Sequence, residues 1–215
     1  MLILASASSR RRELLAQAGF SFRVHPAHIP EDPHPNEDPI SYVTRLAREK
    51  AQSVFNEFAV APGLDSETWE STNPKSESGH LDHDVRSLAV LGADTTVTLD
   101  NQILGKPEDP ADAARILRLL SGRTHRVITG VALVTAERTQ VASEVTAVKF
   151  LTLSEEEIAA YIATGEPMDK AGAYAIQGRA ARWIPRIEGD YFNVVGLPIA
   201  IVSTLLESLA PSQLL

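Results

Sequence analysis

The chain has 215 residues, with 20 lysines and arginines against 28 aspartates and glutamates, a formal net charge of −8; at roughly 100–200 residues per domain this is one domain, or two small lobes sharing a core. Hydrophobic residues make up 44% and charged residues 22%, which excludes wholesale disorder, and the acidic balance argues against the basic face that duplex nucleic acid demands. No cysteine is present, so disulfides, thiolate zinc sites and a cysteine nucleophile are excluded.

Leu2-Ile-Leu-Ala5 reads as a short buried strand. No basic residue precedes it, the reverse of a secretory signal, and no stretch approaches the ~18 apolar residues of a membrane span. A soluble, cytoplasmic protein with no membrane partner is therefore expected. The strand ends at Ser6-Ala-Ser-Ser9, where Ser8 is a good N-cap for a helix over about Ser9–Ala18, and Gly19 supplies the left-handed C-terminal position. Phe20–His25 reads as a second strand, followed by a loop rich in Pro and His to Glu37. Asp38 caps the next helix, with Pro39 at its first position. Its apolar stripe is Val43, Leu46, Ala47, Ala51, Val54, Phe55 and Phe58, and Lys50 lies within that stripe. From Pro62 to Arg86 the pattern lapses into Ser, Thr, Asp, Glu, Pro and Gly. Six acids face two bases between Gly63 and Arg86, and the segment, at about 63–86, reads as a flexible acidic surface insertion in a single domain over 1–215.

Leu88–Asp94 reads as a strand ending at Asp94, followed by Thr95–Leu99, a turn at Asp100-Asn101 and a strand over Gln102–Leu104. Asp109 caps a helix that opens on Pro110, buries Ala113, Ile116, Leu117 and Leu120, and ends before Gly122. Strands are expected at about His125–Thr135 and Val141–Leu153, joined by a polar turn at Glu137–Gln140. Ser154 and Glu157 form a capping box for a helix ending near Ala163, with Gly165 beyond it. Trp183–Ile187 and Tyr191–Val195 read as strands. Pro198 opens a final helix buried through Ile201, Val202, Leu205 and Leu209. Alternating strands and helices with several hairpins give an α/β fold with a mixed sheet.

The familiar nucleotide fingerprints are absent. Proline follows Gly105-Lys106, so there is no P-loop, and no G-x-G-x-x-G, H-E-x-x-H or G-x-S-x-G occurs. His80 and His83 lie in the insertion and make a poor metal site. Ser6-Ala-Ser-Ser-Arg10-Arg11-Arg12 puts hydroxyls and arginines where a strand hands over to a helix N-terminus. Cations there oppose the helix dipole by roughly 0.3–1 kcal/mol each. A bound anion would offset that penalty, because backbone N–H groups and guanidinium forks converge on phosphate oxygens. A solvated basic turn explains the same residues equally well.

Asp94, at a strand end of an α/β sheet, sits where ligands usually bind, though alone it reads more readily as a turn or cap aspartate. Lys106, beside a glycine that admits a ligand, reads also as an exposed loop lysine, and Lys50 as a lysine snorkelling from the core's edge. Asp169-Lys-Ala-Gly-Ala-Tyr-Ala-Ile-Gln177-Gly is a loop of small residues. Gln177 could read a base edge through its paired donor and acceptor, or satisfy nearby backbone. Cations, scattered carboxylates and an amide together suggest a nucleotide phosphate site using a hard divalent metal.

At these residues the sequence closely resembles the Maf family of nucleoside triphosphate pyrophosphatases. The matching stretches are Leu2-Ile-Leu-Ala-Ser-Ala-Ser-Ser-Arg-Arg-Arg-Glu-Leu-Leu15, Arg45-Leu-Ala-Arg-Glu-Lys-Ala51, Leu91-Gly-Ala-Asp-Thr95 and Ile103-Leu-Gly-Lys-Pro107. Leu120-Ser-Gly-Arg-Thr-His125, Thr129-Gly-Val-Ala-Leu133, Gly165-Glu-Pro-Met-Asp-Lys-Ala-Gly-Ala-Tyr174, Ile187-Glu-Gly-Asp-Tyr191 and Asn193-Val-Val-Gly-Leu-Pro198 follow in family order. The resemblance covers nearly the whole chain except the 63–86 insertion.

The resemblance implies an elongated mixed sheet with flanking helices, two lobes around a cleft, similar to inosine triphosphatases. It implies a hydrolase that splits a nucleoside triphosphate to monophosphate and pyrophosphate, cleaning the nucleotide pool with a divalent cation, Mg²⁺ or Mn²⁺. Asp94 matches the catalytic acid–base position. Ser6, Arg10, Arg11, Glu31, Lys50 and Lys106 match substrate- and metal-binding positions, with Glu31 and Asp94 as the metal's oxygen ligands. Arg11, Thr95 and Gln177 match positions tied to base choice. The run from Asp169 to Gly178 is similar to the branch acting on dTTP and UTP, while the 7-methyl-GTP branch tends to have glutamate at the place of Gln177. Ser9 stands where the family commonly has proline, which removes a preset φ and leaves the cap available. Two alternatives stay open: a division regulator acting by protein binding, after the septum formation for which the family is named, and a pyrophosphatase for methylated nucleotides. The oligomeric state is also open, a homodimer being one option.

Overall fold

β1 (Leu2–Leu4) is buried along its whole length, as an all-apolar strand is when both of its faces are covered. The computed structural model describes residues 1–60, 87–207 and 209. The further strands are β2 (Arg23–Val24), β3 (Ala89–Leu99), β4 (Gln102–Leu104), β5 (Thr124–Thr135), β6 (Thr139–Lys149) and β7 (Arg186–Glu188). Among the described residues they form one mixed sheet in the order β2-β1-β3-β5-β6-β7, with β4 added to β3. β1 runs parallel to β2 and β3, and the remaining pairs are antiparallel.

β3 is the axis of the molecule. On one side β5 pairs with it from Ala89 to Thr98. On the other, β1 reaches only Ala89–Leu91 and β4 only Val97–Leu99. Among the described residues, 92–96 have no neighbouring strand on that edge, and the cleft opens there.

The helices start where short-range capping chemistry says they should. α1 (Ser9–Gln17) is capped by Ser8, which accepts from the Arg11 N–H. α2 (Pro39–Val60) follows Asp38, whose Oδ1 accepts from the Ile40 and Ser41 N–H groups at 3.0 and 3.1 Å. Asp109 caps α3 (Pro110–Leu120), and Ser154 with Glu157 forms the expected capping box on α4 (Glu155–Ile162). α5 (Tyr191–Val195) and α6 (Ile199–Glu207) complete the set.

Packing divides the core into territories that share strands. α2 covers Ile3, Ala5, Val90, Ala132 and Val134 on one face. α1 and α6 cover Leu2, Leu4, Leu91, Ala93 and Leu133 on the other. α3, α4 and two 3₁₀ turns, at Ala171–Ala173 and Arg179–Trp183, close around Val97, Leu99, Leu104, Val127, Val148 and Phe150. β3 and β5 run unbroken through both regions, so the lobes on either side of the cleft are two coverings of one sheet.

α2 lies in backbone contact with that sheet. A Cβ at Gly92 would stand 2.2 Å from the Ala47 carbonyl oxygen, and one at Gly130 would stand 2.4 Å from that of Val43. Only glycine leaves room for the helix at this distance.

Several expectations are corrected. Asp94 does not end a strand: it is inside β3, which continues through two threonines suited to β geometry. Phe20–His25 pairs only at Arg23 and Val24, and the strand expected to reach Leu153 stops at Lys149. Trp183–Ile187 divides into the end of a 3₁₀ turn and β7. Tyr191–Val195 is a helix, because Asp190 accepts from the Phe192 N–H and Gly196 ends the turn, overriding the β preference of its aromatic and valine residues. The 63–86 insertion, with His80 and His83, lies outside the described residues. No helix among them is long and apolar enough to cross a membrane.

Candidate active site

The open edge of β3 exposes backbone that must find partners elsewhere. Arg11, in the first turn of α1, supplies them. Its Nη1 donates to the Ala93 carbonyl at 2.9 Å and to Ser6 Oγ at 3.3 Å. Nη2 donates to Thr95 Oγ1 at 2.9 Å, and Nε to the Gly196 carbonyl at 2.8 Å. These bonds use four of the five guanidinium N–H groups. Burial, partly offset by the field of Asp94, holds the Arg11 pKa below its ordinary value. Arg11 therefore fastens α1 to the strand edge and to the chain entering α6, and one N–H is left for a ligand.

Asp94 faces α2, on the same side of β3 as Gly92 and directly opposite Gly130 in β5. Because those glycines let the helix close in, Lys50, one turn beyond Ala47, reaches the strand. Its Nζ stands 2.7 Å from Asp94 Oδ1 and 2.6 Å from Glu31 Oε1. Lys50 and Asp94 are buried, whereas the Glu31 side chain, on the irregular loop before α2, is 51% exposed. Partial burial by itself would raise the Glu31 pKa. The bond from Lys50, with the fields of Lys50, Lys106 and Arg11, outweighs it and holds the carboxyl below its ordinary value.

The cleft around these groups has a volume of about 700 Å³, within the range of small-molecule sites. Ser6, Arg10, Arg11, Glu31, Lys50, Asp94, Thr95 and Lys106 all line it. Arg10 and Lys106 make no hydrogen bond or ion pair among the described residues, and burial lowers the pKa of Arg10, which is half-buried. Cations without partners in a concave site are what an anionic ligand would complete. Thr95 Oγ1, held by Arg11, also shares a hydrogen bond with Thr129 Oγ1 at 2.9 Å.

Gln177 is not brought in. It is exposed, three residues beyond Tyr174, and does not line the cleft. Tyr42, Asp32, Asp169, Lys170 and Tyr174 do line it, and the sequence assigned none of them a role. Tyr42 stands at the margin of the apolar stripe, just before Val43, where a tyrosine reads as ordinary helix surface. The small-residue loop was the only sign of the other wall.

The carboxylates of Glu31 and Asp94 meet at one point, now held by the Lys50 ammonium. Two anionic oxygens converging there suit a hard divalent cation that takes its remaining ligands from phosphate and water. No group of three or more His, Asp or Glu residues that could hold a metal is found among the described residues. Glu31 and Asp94 could each supply an oxygen to such a cation, with water or phosphate supplying the rest.

The sequence matches the Maf-like protein family over residues 1–209. It is 50% identical over 206 residues to the dTTP/UTP pyrophosphatase of Koribacter versatilis, covering 96% of this chain and 93% of that one. It is 47% identical to the dTTP/UTP pyrophosphatase of Aromatoleum aromaticum, covering 96% and 94%, and 48% identical to that of Moorella thermoacetica, covering 95% and 93%. With the family matched over nearly its whole length, the chain belongs to the Maf family.

Proposed function

We propose that this chain hydrolyses dTTP and UTP to the monophosphate and pyrophosphate. The observation that carries the reading is the Lys50 ammonium between Glu31 and Asp94, facing a cleft in which Arg10 and Lys106 lack partners among the described residues. The relatives' shared name supplies the substrates. A single domain is consistent with β3 and β5 running through both lobes, and a nucleotide-pool role belongs in the cytoplasm.

In this reading Arg10, Lys106 and the remaining N–H of Arg11 take the phosphate oxygens, with Lys50 free to join them. Asp94 orients a water against the α-phosphorus and accepts its proton. The water oxygen bonds to that phosphorus, the bond between the α-phosphorus and the oxygen bridging it to the β-phosphorus breaks, and pyrophosphate leaves with that oxygen and the electron pair. Glu31 and Asp94 would hold Mg²⁺ or Mn²⁺, which supplies neutralisation of phosphate charge and acidifies bound water. An unassisted aspartate, with a pKa of ~3.9, is a weak base for this task. Thr95 and the Gly196 carbonyl, both held by Arg11, are assigned to the nucleoside.

The test is pyrophosphate release across normal and methylated nucleoside triphosphates, with and without Mg²⁺ or Mn²⁺. Asp94→Asn is expected to reduce turnover by at least ~10³-fold with the fold intact, and wild-type release from it would remove Asp94 from the role. The same panel on Gln177→Glu decides whether that exposed amide takes part in base choice: a shift towards 7-methyl-GTP would bring it in, and an unchanged order would leave it out. A division regulator acting by binding alone would have no use for a buried lysine–carboxylate pair at the base of a cationic cleft.

A further inference from the structure

Of the three groups that meet at the cleft's base, Lys50 is fixed by a helix and Asp94 by a strand. Glu31 is fixed by neither. It lies on the stretch from Pro26 to Asp38, which has no helix or strand of its own, so something else must set its position. A ligand displaced by ~1 Å can cost a site about 10²-fold.

Two side chains of α2 provide the restraint. Tyr42 Oη donates to the Glu31 carbonyl at 2.8 Å. Arg45 Nη2 donates to the carbonyl of the next residue, Asp32, at 3.1 Å. The Arg45 guanidinium also grips Glu37 with both arms, Nε to Oε1 at 2.7 Å and Nη2 to Oε2 at 2.8 Å, and its Nη1 reaches Glu49 at 3.1 Å. Both ends of the loop's second half are thereby tied to one helix face, since Tyr42, Arg45 and Glu49 follow one another at helical spacing. The guanidinium also lies 5.7 Å from the centre of the Tyr42 ring.

Surface ion pairs usually contribute little to stability, but this one is sheltered, with side-chain exposures of 12% for Arg45 and 9% for Glu37. Its fork holds the Glu37 carboxyl down at about 2, so the pair stays ionised throughout the working pH range. Burial and the charges of Asp94 and Glu31 push the Tyr42 hydroxyl up to about 12, and it remains a donor.

We propose that Arg45 and Tyr42 are positioning residues that hold Glu31 in register with Asp94 and Lys50, and through it set divalent-cation affinity. This inference rests on the reading of Glu31 as a metal ligand. Groups that orient a ligand without touching the metal typically change its affinity by ~10–100-fold when removed.

The experiment titrates Mn²⁺ into the nucleotide-free protein, read by electron paramagnetic resonance, beside thermal denaturation of each variant. Glu31→Gln is expected to weaken Mn²⁺ binding by at least ~10-fold, Arg45→Gln by ~10-fold and Tyr42→Phe by ~3-fold. The double variant Glu31→Gln/Arg45→Gln should bind no more weakly than Glu31→Gln alone, because the clamp acts through Glu31. Nucleotide KM at saturating Mn²⁺ should stay within ~2-fold of wild type in Arg45→Gln. If that variant fails to fold, Arg45→Lys, which keeps the charge beside Glu37 without the fork or the reach to Asp32, is expected to weaken Mn²⁺ in the same way. Wild-type affinity in the folded Arg45 variant, with loss in Glu31→Gln, would overturn the clamp alone. Wild-type affinity in Glu31→Gln would overturn the ligand reading and the clamp together, and additive losses in the double variant would show Arg45 acting elsewhere.

Discussion

His125 shows how a single side chain can set the acid limit of this fold. It is buried in β5, with Nε2 2.8 Å from Tyr174 Oη, its ring edge-on to Phe150, and Nδ1 without a partner among the described residues. Burial lowers its pKa to about 4, against ~6.5 in the unfolded chain. Between those values the unfolded chain binds a proton that the folded one refuses, so this contribution is fully present above pH ~6.5 and is lost as pH falls towards 4. At 1.36 kcal/mol per pH unit, the loss is on the order of 3 kcal/mol. Tyr174 also lines the cleft, so acid loosening reaches the site. His125→Phe leaves the Tyr174 hydroxyl unpaired, a cost that does not change with pH. Urea unfolding at pH 7 and pH 4.5 should show wild type losing about 2–3 kcal/mol more than the variant, and equal losses would sink the argument. At this scale the residues readable from sequence were those at odds with their surroundings: Lys50 in an apolar stripe, and arginines where a helix disfavours cations. Arg45 and Tyr42 are at odds with nothing on their own helix, and their role lies in a loop up to 13 residues away that only the fold brings back.

The elements owe their placement to a few local decisions and one long-range one. Caps at Ser8, Asp38, Asp109 and Ser154 are local hydrogen bonds, which is why those helix starts could be read from sequence. The same chemistry at Asp190 makes Tyr191–Val195 a helix against the β propensity of its residues, and there the pattern misleads. The open edge of β3 depends on how far β1 and β4 reach, and no local pattern carries that. The long-range decision is the seating of α2 on Gly92 and Gly130, which brings Lys50 to Asp94. In Gly92→Ala the new Cβ would stand 2.2 Å from the Ala47 carbonyl oxygen, and rigid helix backbone cannot yield cheaply. The helix must lift, at a cost of about 1–3 kcal/mol or more. The variant is expected to melt earlier and to lose turnover beyond what its folded fraction explains. Gly105→Ala, whose Cβ meets nothing within 4 Å, is the control and should melt as wild type. Wild-type melting and turnover in Gly92→Ala would mean that this contact does not set the helix's position.

Over the whole molecule the charge is −8, yet the substrate is itself a polyanion. Half of that excess lies between Gly63 and Arg86, and the rest of the chain still carries 22 acids against 18 bases. The cleft reverses the sign by a single charge, with Arg10, Arg11, Lys50, Lys106 and Lys170 against Glu31, Asp32, Asp94 and Asp169. The two fields act over different distances. At ~10 mM ionic strength the Debye length is ~30 Å, so the approaching nucleotide meets the net negative charge of the whole molecule. At ~0.1 M it shrinks to ~10 Å, which screens charges beyond that distance while leaving the contacts of the cleft. At ~1 M it is ~3 Å, and the contacts of the partly exposed cations weaken as well. With free Mn²⁺ held constant, the KM for dTTP is therefore expected to fall from ~10 mM to ~0.1 M salt and to rise again towards ~1 M, while kcat changes little. A KM that climbs from the lowest salt upwards would mean that the cleft cations outweigh the global charge at every distance, and that the acidic excess has no part in the encounter.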